Sequence, residues 1–240
     1  MRGAELPWSE SWAQEPLTAL PETQILVITG LAILVAVART TWNIVGYPVT
    51  IVHELGHAVA ALTAGYRLRG ITVNGDMSGA TNYWSRGAAG TVWTLWWGYP
   101  TPAIVGVALI WAAMSGWARA ALAVVIAGLF LVFLLSRSWH TVGVVLSTGV
   151  VLGLVGWFGS ASVVNIVVFA LGWLMIVGAV RGLWSVTRSH ISRRGVSRSD
   201  AYLLGRASRL LPGPFWLLTF AIAIAACTWY AVSSIMTAVS

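Results

Sequence analysis

The sequence predicts an all-α polytopic membrane protein of about seven transmembrane helices, carrying one short membrane-associated β-hairpin. Three observations lead there. Hydrophobic residues make up 58% of the 240-residue chain and charged residues only 9%, mean hydropathy is +0.81, and the ionised residues are gathered between long apolar runs. A soluble domain carries about 25% charged residues. The same balance excludes a disordered or collagenous chain, and the single cysteine, Cys227, excludes a disulfide-stapled domain.

Residues 1–22 hold Glu5, Glu10, Glu15 and Glu22 among Pro7, Pro16 and Pro21, with no basic start, apolar middle or small-residue cleavage site. They read as a polar acidic N-terminal tail, loosely ordered, ahead of a single transmembrane domain over 23–240. Runs of about 17–25 residues free of charge, long enough to cross roughly 30 Å of hydrocarbon as helix, fall near 24–38, 43–65, 89–113, 120–136, 140–158, 162–180 and 212–234. Between the second and third, Gly70 to Thr81 is too short and polar for a span, and the Asn74-Gly75 pair predicts a β-hairpin over about 70–83. Gly159-Ser160 divides the long uncharged stretch that follows Ser138. Gly149 and Gly153 form a small-xxx-small pair that can seat a neighbouring helix.

All fourteen basic residues are arginines. With seven spans, Arg2, Arg67, Arg69, Arg86, Arg137 and the seven from Arg181 to Arg209 fall on one side, and only Arg39 and Arg119 on the other. The positive-inside rule then makes the N-terminus and the arginine-rich segment 181–209 cytoplasmic. The charge serves topology rather than nucleic acid, and the bilayer is the partner this composition implies. The tryptophans, including Trp84, Trp96, Trp97, Trp139, Trp157 and Trp184, lie near span ends, where indole suits the headgroup boundary.

Outside the tail only Glu54, Asp76 and Asp200 are acidic. Glu54 lies in His53-Glu54-Leu55-Gly56-His57. On a helix over about 43–65, His53 and His57 stand one above the other and can reach one metal ion, while Glu54 projects about 100° round the axis and can act on water beside it. A solvated helix face does not explain the motif, because Val49, Ile51 and Val52 precede it and Ala58, Val59, Ala60, Ala61 and Leu62 follow. A carboxylate at mid-helix in a membrane costs about 2.5–3.5 kcal/mol on insertion scales, which points to function.

Two histidines leave a catalytic zinc site one protein ligand short. His140 and His190 sit at a span end and in a basic segment, where an interfacial or solvated histidine is the ordinary reading. Asp200 follows Ser199 at the start of a short helix, where either residue can cap; Asp76 follows Asn74-Gly75 as a turn residue. Both remain open as the third ligand on these grounds. The hairpin offers an edge to which an extended peptide can add by main-chain hydrogen bonds, with Ile71, Thr72, Val73 and Gly79 in contact with it. Asn165, in an otherwise apolar span, can bond to substrate, support a ligand or join two helices.

At Val52-His53-Glu54-Leu55-Gly56-His57-Ala58, Ser78-Gly79-Ala80-Thr81, Gly98-Tyr99-Pro100 with Pro102-Ala103, and Ser199-Asp200-Ala201 with Pro212 and Trp216, the sequence resembles the site-2 protease family. These are intramembrane zinc metalloproteases, and the likeness is to the compact bacterial peptidase-like branch without an added PDZ domain, over most of residues 45–230. The resemblance implies one Zn2+ per chain, with His53 and His57 as ligands, Glu54 as general base, Asp200 as third ligand and the hairpin as substrate clamp. The better-known branch takes its third ligand from an Asp-Gly motif, and no Asp-Gly dipeptide occurs here. Asp200 reaches the motif only if residues 199–210 dip into the bundle, which is allowed where protein surrounds the backbone.

The implied activity is hydrolysis of a peptide bond in or near the transmembrane segment of a membrane protein, in a bacterial cytoplasmic membrane. A membrane-held regulator such as an anti-sigma factor is the kind of substrate the resemblance implies, and no nucleic acid is expected. The rival reading is a non-catalytic zinc-binding scaffold or a transporter. Against these, a structural zinc site has no need of Glu54, and no charge relay accompanies it.

Overall fold

The computed structural model describes residues 16–193, 195–196 and 199–238. Residues 1–15 of the expected tail therefore lie outside the described residues. Leu17, in a short 3-10 turn over Leu17–Ala19, is buried in the main core. Helices α1 (Glu22–Val37) and α2 (Arg39–Thr63) meet at 92° across Ala38, whose extended backbone interrupts the helix. The second of these carries the His-Glu-Leu-Gly-His motif and ends at Gly65, φ +74°, where Tyr66 N–H donates to the Ala61 carbonyl and Gly65 N–H to that of Leu62. This left-handed glycine closure turns the chain straight into the hairpin.

The hairpin pairs β1 (Arg67–Val73) with β2 (Gly79–Trp84) in antiparallel register, Ile71 opposite Thr81 and Thr72 opposite Ala80. The connection differs from a two-residue Asn-Gly turn. It spans Asn74 to Ser78, and the left-handed residue is Met77, φ +62°. Two contacts explain the longer loop: the Asp76 carboxylate accepts from the backbone N–H and hydroxyl of Ser78, and α2 holds the loop through Tyr47 Oη donating to the Gly75 carbonyl and Thr50 Oγ1 to that of Met77.

The run expected over 89–113 is broken. Helices α3 (Ala88–Trp96) and α4 (Pro100–Met114) are bent by 48° at Trp97 to Tyr99, and Pro100 opens the second helix at a position where its missing N–H costs nothing. Then follow α5 (Ala118–Leu135), α6 (Trp139–Phe158), α7 (Ala161–Ser192), α8 (Asp200–Ser208) and α9 (Gly213–Ala238). Serine hydroxyls cap three of these, Ser138 for α6, Ser160 for α7 and Ser199 for α8. The arginine-rich segment is thus largely helical: α7 runs on through Arg181 and Arg188 before α8 folds back.

Helices α5, α6, α7 and α9 are each long and apolar enough to cross a membrane, and counting each bent pair, α1 with α2 and α3 with α4, as one span gives up to six. The difference from seven lies in α1 and α2, counted separately from hydropathy. This is an integral membrane protein with helix α7 at its centre, since 61% of its apolar window is buried within the chain against 17–22% for α5, α6 and α9. Helix α4 packs against it at Gly106 and Gly172, where a Cβ on either glycine would come within 2.6–2.8 Å of the other's carbonyl oxygen. Close backbone approach at small residues is how helices associate where lipid supplies no hydrophobic drive. At Gly149 and Gly153 nothing lies within 4 Å of an added Cβ, so no helix among the described residues uses that pair. Of the tryptophans expected at the boundary, Trp84, Trp139, Trp157 and Trp184 are exposed, whereas Trp96 and Trp97 pack inward around Phe220 and Trp93.

Candidate metal centre

His53 and His57 project from one face of α2 as the i, i+4 spacing requires. Their Nε2 atoms are 3.2 Å apart, and Asp200 Oδ2 is 3.2 Å from each, so three donor atoms form a near-equilateral triangle. Helix α8 makes this possible. Ala201 and Leu204, one turn apart on its inner face, are fully buried with Leu95 of α3 and Phe220 of α9, and this packing carries the first residue of the helix to the imidazoles. Ser199, not Asp200, caps the helix by accepting from Tyr202 N–H at 3.3 Å, which spares the Asp200 carboxylate.

The orientation of His57 is set by its other nitrogen. Nδ1–H donates to the buried Thr94 carbonyl at 2.8 Å, so in the neutral imidazole Nε2 carries the lone pair. That lone pair faces a second imidazole nitrogen and a carboxylate oxygen, a set of donors that calls for a cation between them. Ligands of a tetrahedral zinc ion, at about 2.0–2.1 Å from the metal, stand roughly 3.3 Å from one another. The observed triangle fits that requirement, and His53, His57 and Asp200 are the group among the described residues able to hold such an ion. Gly98, in the break between α3 and α4, leaves the space for it: a Cβ there would lie 2.4 Å from His57 Nε2 and 2.8 Å from His53 Cε1. Tyr99 meets His53 edge-on at 4.8 Å and stacks on Phe220.

Glu54 is buried beside the triangle without joining it. Strand β2 crosses directly over its carboxylate. Thr81 Oγ1 lies 2.7 Å from Oε2 as a donor, and a Cβ on Gly79 would come 2.3 Å from Oε1, so only glycine lets the strand pass this close. His53, Glu54, His57, Tyr99 and Asp200 line one cleft of about 1310 Å³, together with the hairpin loop, β2 and the face of α7 from Gly178 to Arg188.

Several expected residues take other positions. Asp76 lines the cleft but stays in its loop, where hydrogen bonds from the Ser78 hydroxyl and N–H hold its carboxyl below the usual carboxylate range. Gly79 is at the site. Ile71, Thr72 and Val73 are not among the cleft residues. Ile71 and Val73 are fully buried, and the outer edge of β1 is already taken, with Arg137 N–H donating to the Ile71 carbonyl at 3.0 Å and Val73 N–H to Thr141 Oγ1 at 2.8 Å. The free edge is therefore that of β2. Asn165 is buried within α7 away from the cleft. His140 bonds to the Val73 carbonyl and His190 to that of Val186. Gly98 and Thr81 were legible only as members of motifs and Thr94 not at all, since a missing Cβ, a cross-strand hydroxyl and a carbonyl leave no spacing pattern.

No curated protein and no solved structure matches this chain. The family described as Peptidase M50B-like matches residues 26–231, a stretch that holds the whole motif helix, the hairpin, the α3–α4 break and Asp200. The chain belongs to the Peptidase M50B-like branch of the site-2 protease family.

Proposed function

We propose that this protein is an intramembrane zinc metalloprotease that hydrolyses a peptide bond in or near the transmembrane segment of a membrane protein. Its place would be a bacterial cytoplasmic membrane, with the N-terminus and residues 181–209 on the cytoplasmic side. The observation that carries the reading is the 3.2 Å triangle of His53, His57 and Asp200 with the Glu54 carboxylate beside it and outside the donor set. A structural metal site would leave that carboxylate without a task.

His53, His57 and Asp200 hold the ion. The chemistry zinc supplies at such a site is to bring the pKa of water down to about 7 and to polarise a carbonyl oxygen. Glu54 accepts the proton of the attacking water and delivers it to the leaving amine. Thr81, donating to Oε2, holds the carboxylate in place beside the three donors. A helical substrate hides its carbonyls in internal hydrogen bonds, so it must unwind first. Pairing with the free edge of β2 offsets that cost by supplying main-chain partners.

The test is a comparison of variants in zinc content and in cleavage of single-span peptides. Glu54→Gln is expected to retain about one zinc per chain and lose cleavage, while His53→Ala and Asp200→Ala lose both. Cleavage by Glu54→Gln refutes the mechanism. Zinc without cleavage in the parent favours the scaffold reading.

A further inference from the structure

The cleft has two unlike walls. On one side the free edge of β2 offers backbone groups, which bind any extended chain alike. On the other, α7 presents Arg181, Trp184, Ser185 and Arg188 to the same space. Arg181 and Arg188 are seven residues apart, so they share a helix face and stand about 10 Å apart along the axis. Their places in the bilayer follow from the helix itself. The uncharged stretch 161–180 rises about 30 Å, the thickness of the hydrocarbon layer, so Arg181 marks its edge and Arg188 lies beyond it.

The metal centre lies at that same level. A Cβ on Gly182 would touch the Tyr99 ring at 3.8 Å, and Tyr99 packs on His53. Arg181 is braced by donating to the Val37 carbonyl at 2.7 Å and by lying 4.3 Å over the Trp42 ring, neither of which neutralises its charge. Among the described residues no carboxylate is within ion-pair distance of Arg181 or Arg188. Among the described residues the one acid lining the cleft apart from Glu54 and Asp200 is Asp76, in the opposite loop and bonded to Ser78.

Resting on the protease reading above, we propose that the Arg181–Arg188 face of α7 is an anionic subsite that selects substrates with acidic residues just outside their membrane span. An extended chain covers the 10 Å between the arginines in about three residues. The favoured acids thus lie about three residues from the scissile bond, on the side leaving the membrane. Main-chain pairing to β2 holds the substrate and the arginines choose it, since charge complementarity discriminates between partners more than it adds affinity.

The test uses zinc-loaded Glu54→Gln protein, full length, in nanodiscs of zwitterionic lipid. The probes are synthetic single-span peptides with Glu-Glu, Gln-Gln or Lys-Lys three residues beyond the apolar run. The Glu-Glu peptide is expected to bind about tenfold tighter than the Gln-Gln peptide, and Arg188→Glu is expected to reverse that order in favour of Lys-Lys with its zinc content unchanged. Equal affinity for all three peptides, or a preference that survives Arg188→Glu, overturns the proposal. So does a preference that vanishes in phosphatidylglycerol nanodiscs at physiological salt, which would assign the arginines to lipid headgroups. Cleavage by the parent protein is scored separately: equal cleavage of all three peptides removes the subsite and keeps the protease, while selective binding without cleavage removes the protease and keeps the subsite.

Discussion

Replacing Gly98 by alanine tests how the metal centre is built, because the change adds one methyl group and nothing else. Gly98 has no positive φ, so alanine can adopt its backbone. The new Cβ would sit 2.4 Å from His57 Nε2, 2.5 Å from its Cε1 and 2.8 Å from His53 Cε1, whereas ordinary contact begins at 3.4 Å. The His57 ring must retreat by about 1 Å, and its Nδ1–H bond to Thr94 at 2.8 Å leaves no slack for that. Metal sites tolerate departures of about 0.2 Å in ligand distance. Loss of an orienting partner alone costs about 10- to 100-fold in metal affinity, so moving the ligand itself should reach the upper figure, about 2.7 kcal/mol. The assay is competition for zinc between the detergent-purified protein and a chromophoric chelator. Gly149→Ala, where nothing lies within 4 Å, serves as the control and should bind zinc as the parent does. Parent-like affinity in Gly98→Ala would refute the argument that the α3–α4 break shapes the site.

Two further outcomes follow from the packing. Thr81→Val keeps the shape of β2 and removes the hydroxyl that donates to Glu54, so peptide cleavage should fall about tenfold while zinc is retained. An unchanged rate would show that Thr81 does not orient the base. Gly172→Leu drives a side chain into Ile110 and the Gly106 carbonyl, with the first added atom already at 2.6–2.8 Å, and should destabilise the α4–α7 contact by about 1–3 kcal/mol. Thermal melting in detergent would register this as a lower Tm, and an unaltered melt would mean that the two helices part easily.

What the sequence determined by itself is what short-range pattern encodes. Hydropathy over about twenty residues marks the helices, and an i, i+4 spacing in a helix of that kind brings His53 and His57 together whatever surrounds them, with Glu54 beside them. The Ser-Asp start of α8 was legible in the same way, as was the hairpin. Tertiary structure alone decided the rest. Asp200 is 143 residues from His57, and it meets the imidazoles because Ala201 and Leu204 are buried against Leu95 and Phe220, partners that no local pattern pairs. Which edge of the hairpin is free depends on Arg137 and Thr141 claiming β1 from the far side. For that reason Ile71 and Val73 face the bundle, and the edge of β1 is closed to an added strand. The break at Trp97 to Tyr99 sits inside one apolar run, where composition reads straight through it; that Gly98 there approaches the two histidines is visible only in the tertiary structure. Local geometry depends on backbone and spacing, which a sequence carries residue by residue. The third ligand, the open edge and the space for an ion depend on which distant side chains fill the same volume.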